Sequence, residues 1–440
     1  MPHSLPPSPK ASPKEGVNGI TKFTNCRILK GDQLVEEDLW VNSVTGKIVR
    51  SQAAFFDDSI LPDETINLGG RILSPGLIEA QLNGAFGFNF SSLLEPAEYA
   101  KKVRYVNKQM VATGVTSYVP TITSQTSELY RRALPFLGPS GHVQVAEDGA
   151  ESLGAHCEGP FLSPTKNGCH NVDVLRQAQS FDDLVDCYGI ENLMSEYPDE
   201  APRIKIITAA PELGQMTNLI PELTSRGIIY SIGHSEATYE EASAAVAAGA
   251  TMITHLFNAM RPLHHRNPGI FGVLGIAESQ PRPYFGIISD GEHLHPTTIK
   301  IAFNAHPEGF ILVTDAMHLV GLPDGTYQWT NGDCTSHIVK KGPKLVLQGS
   351  DRIAGRNTLS SITLIECVNN FLNWTGASIQ QALKAVTSAP AAMLGLQGLK
   401  GCLDDGADAD LVVLSEVQNG SRTELVVDET WKFGSKVFSR

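Results

Sequence analysis

Eight short apolar runs, separated for the most part by helical patterns, occupy residues 76 to 316 and limit what this chain can fold into. They are GLIEAQLN (76–83), VTSYVPT (115–121), SLGAHCEG (152–159), IKIITAAP (204–211), GIIYSIGH (227–234), TMITHLFN (251–258), YFGIISDG (284–291) and GFILVTDA (309–316). Near-continuous apolar strands alternating with helices imply parallel βαβ units covered on both faces. Eight such units predict an α/β fold of the closed (β/α)8 TIM-like barrel type. An open doubly wound sheet is the alternative, and it is set back because no GxGxxG turn follows the first run. The clearest helix is EATYEEASAAVAAGA (236–250), with Ser235 as the expected N-cap and its end near Gly249.

The two chain ends share a different texture. FTNCRILK, DLWVNS and GKIVRSQ near the start, and ADLVVLSE, TELVVD and TWKFGSKVFSR near the finish, read as short strands. They are expected to pair into one small β-sandwich domain, with two separate β arms as the alternative. The partition expected is residues 19–70 with 397–440 for that domain, and 71–396 for the barrel. Residues 1–18 are expected to be a disordered tail, with five prolines among the first thirteen residues.

A net charge of −13 argues against general nucleic-acid or anionic-membrane binding while allowing a local basic pocket. No apolar run reaches the roughly 18 residues of a membrane span. Seven cysteines without a CxxC pair fit reduced thiols in a cytoplasmic protein better than a disulfide framework.

The polar residues of the apolar runs fall at one end. Glu158 ends the third, His234 the fifth, His255 lies late in the sixth, and Asp315 is near the end of the eighth. In a barrel all strands end on the same face, so these residues converge on one pocket. Two imidazoles and a carboxylate suit a divalent cation of the zinc or iron type, with an open position for water. Asp315 is then the expected general base and acid. A strand-end histidine can instead cap a helix. A carboxylate in an apolar strand is harder to explain away, because burial is costly unless it is paired or bound to metal.

These residues carry a resemblance. HCEGPFL (156–162), GHSEAT (233–238), THLFNAMRPLHHRNPG (254–269), SDGEHLHP (289–296) and LVTDAM (312–317) resemble the amidohydrolase superfamily, and within it the N-acetylglucosamine-6-phosphate deacetylase family. LSPGLIEAQLNGAFGFNF (73–90) and DGADADLVVL (405–414) extend the likeness over nearly the whole chain after the tail. Many amidohydrolases carry H-x-H on the first strand. Here Gln81 and Asn83 stand in its place, and amides are poor ligands for a zinc-type ion. That predicts a single metal position on Glu158, His234 and His255. It also weakens a dihydroorotase or hydantoinase reading, since no strand end offers the lysine those enzymes use.

The resemblance implies one divalent ion per subunit, zinc first and iron, cobalt or manganese as alternatives. It implies an amino-sugar phosphate as the small-molecule partner, and a homodimer. It places Asn258, Ala259 and Arg266 at the phosphate, His293 as a second substrate contact beside the reacting carbonyl, and His170 at the sugar. Arg266 has the planar fork that matches phosphate oxygens, and in relatives it can reach the neighbouring subunit's site. The neighbouring pair His264 and His265 is given no role. Cys157 departs from the family by packing alone. Arg356-Asn357 departs beside the expected sugar site, and residues 327–355 read as a hairpin-rich insertion able to cover it. The rival readings are another metal-dependent amide hydrolase, of the cyclic-amide or adenine type, and a non-catalytic scaffold of the same fold.

Overall fold

The computed structural model describes residues 18–50, 61–195, 200–277, 281–331, 334–347 and 359–440. The expected tail, except for residue 18, and Arg356-Asn357 lie outside them. The barrel strands are β1 (Leu77–Leu82), β2 (Val115–Ile122), β3 (Ala155–Glu158), β4 (Ile204–Ala209), β5 (Ile229–Ile232), β6 (Met252–Ile253), β7 (Tyr284–Ile288) and β8 (Phe310–Val313). Each pairs in parallel with the next from β1 to β8. Between β8 and β1 the ring is closed by backbone hydrogen bonds from Asp315 to Gln81 (3.0 Å) and from Asn83 to Ala316 (2.9 Å). The expected (β/α)8 barrel is therefore present, with helices such as Pro96–Met110 and Leu364–Thr375 covering the sheet.

Strand β6 is much shorter than its apolar run. His255, Phe257 and Ala259 have φ of 28°, 77° and 50°, so the chain leaves the sheet after Ile253. His255 accordingly sits in the loop beyond β6 and not late within the strand. His234 and Asp315 likewise lie two residues past β5 and β8.

The helix after β5 also corrects its expectation. It runs Tyr239–Ala248 and its N-cap is Thr238, whose hydroxyl accepts from Glu241 N–H while Glu241 reaches back to Thr238 N–H. The T-x-x-E spacing of that capping box outcompetes Ser235. Ser235 is drawn away by Glu212, donating its hydroxyl at 2.7 Å. Gly249, at φ 118°, ends the helix as expected.

Both chain ends build the small β domain. One sheet holds Lys47–Val49, Leu39–Asn42, Ile20–Thr24 and Glu64–Asn67. The other orders Ser435–Ser439, Arg422–Lys432, Leu411–Asn419, Ile72–Pro75, Arg27–Lys30 and Gln33–Glu36. Phe23, Val41, Leu73, Leu411 and Trp431 are buried in one apolar cluster, with Phe23 and Trp431 edge to face at 5.0 Å. FTNCRILK, read as one strand, is two. Asn25, at φ 50°, turns the chain from one sheet into the other.

Within the expected insertion, strands Gly325–Asn331, Cys334–Lys341 and Lys344–Leu347 form antiparallel pairs and join Leu359–Ser360. Ile338, Leu345 and Leu359 pack with Met317, Leu319 and Cys169, so this sheet lies against the loop that carries His170. No helix among the described residues is long and apolar enough to cross a membrane. Cys26, Cys157, Cys169, Cys187, Cys367 and Cys402 are free thiols.

Candidate metal centre and active site

At the C-terminal face of the barrel three donor atoms meet. Glu158 Oε1 lies 3.1 Å from His234 Nε2 and 2.9 Å from His255 Nε2, and the two nitrogens are 3.1 Å apart. All three residues are at most 4% exposed. His234 Nδ1–H donates to the Lys166 carbonyl at 2.7 Å, which leaves Nε2 as the nitrogen with a free lone pair. Burial works against it, yet the His234 and His255 imidazoles beside it hold the Glu158 carboxyl well below the usual carboxylate range. Burial also pulls the His255 imidazole down. The hydrogen bond and charge of Glu158 prevail and raise it to about 9. Two imidazole nitrogens and a carboxylate oxygen brought this close together form a donor set that fits a divalent ion.

His170 is a further candidate ligand by proximity, since a ligand atom of His170 lies within 4.8 Å of those of Glu158 and His234. Its hydrogen bonding argues otherwise. His170 Nδ1 accepts the Ser124 N–H at 3.0 Å, so Nε2 carries the ring proton and faces Glu158 Oε2 at 3.9 Å as a donor. Burial and then the His234 charge push His170 down to about 3, so the ring is neutral.

Asp315 stands beside this centre. Gln81 Nε2 donates to both Glu158 Oε1 (3.2 Å) and Asp315 Oδ1 (3.1 Å). Asn83 Nδ2 donates to Asp315 Oδ1 at 2.7 Å and to its carbonyl at 3.1 Å. The first-strand amides thus tie the carboxylates together where other amidohydrolases would place ligands. Burial, followed by the Glu158 charge, raises the Asp315 carboxyl to about 6.

Backbone strain is concentrated here. Nine described residues other than glycine have positive φ, and His234, His255, Phe257, Ala259 and Asp315 are five of them. Each such conformation costs on the order of 1–3 kcal/mol and persists where surrounding contacts enforce it.

The other predicted residues divide. His293 joins the site: its Nδ1 is 2.7 Å from Asp290 Oδ2, and Asp290 Oδ1 accepts the N–H of Glu292 and His293. Burial lowers its imidazole, but the hydrogen bond and charge of Asp290 raise it overall, and Asp315 adds to the rise. Asn258 has a buried Nδ2 with no partner among the described residues. Ala259 accepts the Ser235 N–H at 3.1 Å. Arg266 is exposed on its loop, and its guanidinium makes no ion pair among the described residues; its backbone N–H donates to His264 Nδ1. Arg266 is not gathered to the Glu158, His234 and His255 donors.

Sequence reasoning missed Glu79, His156, Asp290 and the Lys166 carbonyl. Period-two alternation along E-A-Q-L-N could have found Glu79, which shares a strand face with Gln81 and Asn83. His156, two residues before Glu158, was legible in the same way; its Nε2 is 2.7 Å from Thr208 Oγ1. No local signal announces the Lys166 carbonyl, 68 residues from His234.

A parallel barrel with a Glu–His–His centre and an aspartate past the eighth strand defines a metal-dependent amidohydrolase, and residues 72–437 match the amidohydrolase family. The chain is 40% identical over 426 residues to N-acetylglucosamine-6-phosphate deacetylase of Homo sapiens, covering 94% of this chain and 96% of that one. Among solved structures it is similar to the Pasteurella multocida deacetylase of the same name, with a TM-score of 0.77 and 25% identity over 96% of this chain and all of that one. It is also similar to a Mycobacterium smegmatis deacetylase variant solved in complex with N-acetyl-D-glucosamine-6-phosphate, with a TM-score of 0.74 and 26% identity over 96% and 100% of the two chains. This chain belongs to the amidohydrolase family and, within it, to the N-acetylglucosamine-6-phosphate deacetylases.

Proposed function

We propose that the protein hydrolyses N-acetyl-D-glucosamine 6-phosphate to D-glucosamine 6-phosphate and acetate, a step of amino-sugar breakdown. The observation that carries this reading is the meeting of the Glu158, His234 and His255 donors beside an Asp315 held by Gln81 and Asn83. A divalent ion on those three residues, zinc by the donor set with iron, cobalt or manganese as substitutes, would polarise the acetamide carbonyl and acidify water.

Asp315 moves the proton. Its Oδ1 is occupied by the two amides, so Oδ2 is the oxygen that takes a proton from the attacking water and returns it to the departing nitrogen. His293, oriented through Nδ1 by Asp290, offers Nε2 to the developing oxyanion. His170 offers its Nε2–H to the sugar. Asn258 and the Ala259 backbone bind the phosphate end, and Arg266 is supplied across a homodimer, consistent with its exposure within one subunit.

The test is acetate release from N-acetylglucosamine with and without its 6-phosphate, with metal content measured on the same sample. Release that requires the phosphate, from protein holding close to one ion per chain, is expected. No acetate from metal-replete protein would sink the reading.

A further inference from the structure

We infer that Glu79 is a positioning residue for the deacetylation, holding Gln81 and Asp315 in register from beneath; the inference rests on Asp315 carrying the proton. Seven strand junctions of the barrel have parallel ladders, whereas the β8–β1 seam is stitched from separate pieces. At its lower end the segment Ala385–Val386 is wedged between the two strands, accepting from Leu312 N–H (3.0 Å) and Ile78 N–H (2.8 Å). At its upper end Asp315 and Asn83 donate across to Gln81 and Ala316.

Between these levels the Glu79 carboxyl bridges the seam, beside the Thr314 hydroxyl, which donates to the Gln81 carbonyl at 3.4 Å. Glu79 Oε1 accepts the Gln81 N–H of β1 at 3.1 Å and the Thr314 N–H just past β8 at 3.3 Å. Those two N–H groups lie directly under the working parts. Gln81 spans Glu158 and Asp315 through its amide, and Thr314 precedes Asp315, whose φ is 47°. Glu79 is 1% exposed, a costly place for a carboxyl that only filled space. Without that oxygen, two buried N–H groups lose an acceptor and the strained turn at Asp315 loses its support.

A shift of about 1 Å in a reacting group can cost on the order of a hundredfold in rate. Glu79→Ala is therefore expected to lower kcat by about tenfold or more while KM and metal content stay near wild type. Glu79→Gln keeps an oxygen at the Oε1 position and is expected to recover most of the lost kcat. Combined with Gln81→Ala, the Glu79→Ala loss should shrink, because part of it acts through Gln81. Glu79→Met, which matches the side chain in length without its oxygens, is the second variant should the alanine protein not fold. Wild-type kcat in folded Glu79→Ala or Glu79→Met, or a glutamine variant no better than alanine, would overturn the inference. So would unfolding of both apolar variants beside a fully active glutamine variant, which would make Glu79 a brace of the fold alone. If the wild-type protein releases no acetate, the proposed function fails instead, so the two failures are distinct.

Discussion

The two ends of the barrel bury the same kind of group and treat it in opposite ways. At the junction with the small β domain, Glu151, Asp408 and Asp410 are buried within ligand distance of one another, as are the groups at the opposite face. There, however, ammonium groups answer them. Lys400 contacts Glu151 and reaches Asp408 (2.7 Å) and Asp410 (3.0 Å). Lys432, with a fully buried side chain, reaches Asp410 at 2.6 Å, and Lys47 reaches Asp408 at 2.7 Å. Three lysines thus neutralise three carboxylates. At the upper face Glu158 and Asp315 meet imidazoles and amides but no lysine or arginine among the described residues. Buried charge by itself does not mark a site. Charge whose compensation is left to an incoming cation or proton does.

Substitutions can break that contrast. The largest expected effect is Asp315→Asn, which keeps an acceptor for Gln81 and Asn83 but cannot carry the proton. Turnover should fall by about 10²–10⁴-fold with the metal retained, checked by acetate release and metal analysis. Unchanged turnover would remove Asp315 from the mechanism.

At the other end, Lys432→Met should leave kcat per folded molecule unchanged and cost roughly 3–5 kcal/mol of stability, since it strands buried carboxylates. Denaturant midpoints and a rate normalised to folded protein check both halves. A loss of activity without a loss of stability would erase the distinction between the two ends.

The smallest effect is a difference in pH response. Burial raises the Glu79 carboxyl to about 8 against its usual 4.5, despite the N–H groups it accepts. The folded state then holds a proton that the unfolded state releases, so this group's contribution to stability falls as pH rises from about 4.5 to about 8. Asp410 runs the other way. Burial opposes its ionisation, but Lys400 and Lys432 bring it down to about 2. Its contribution is present above its usual 3.8 and is lost as pH falls through about 2. Thermal unfolding across pH should show the decline between about pH 4.5 and about pH 8 flattened in Glu79→Gln and the acid limb altered in Asp410→Asn. Identical profiles in both variants would contradict the contrast.

Much of this was legible in one dimension. The eight apolar runs named the barrel strands, and their polar ends named Glu158, His234, His255 and Asp315. The sequence offers Ser235 as the N-cap in place of Thr238 because the Glu212 carboxylate that captures Ser235 comes from another strand end, 23 residues away. His255 reads as part of a strand because apolar composition cannot register the positive φ values that end β6. Period-two alternation puts Glu79 on the face of Gln81 and Asn83, but a carboxyl on a strand face says nothing of the N–H groups it meets across a seam.

The sequence by itself determined the alternation, the chemistry available at each strand end, and the loss of an H-x-H pair at Gln81 and Asn83. These follow from local periodicity and residue type. Only the tertiary structure decided which nitrogen of His234 is free, which oxygen of Asp315 is held, and what bridges β8 to β1. The Lys166 carbonyl, the Asn83 amide and the Glu79 carboxyl lie 68, 232 and 235 residues from the groups they bind. Closing the barrel brings such partners within hydrogen-bond reach, and nothing in the spacing of residues along the chain encodes that meeting.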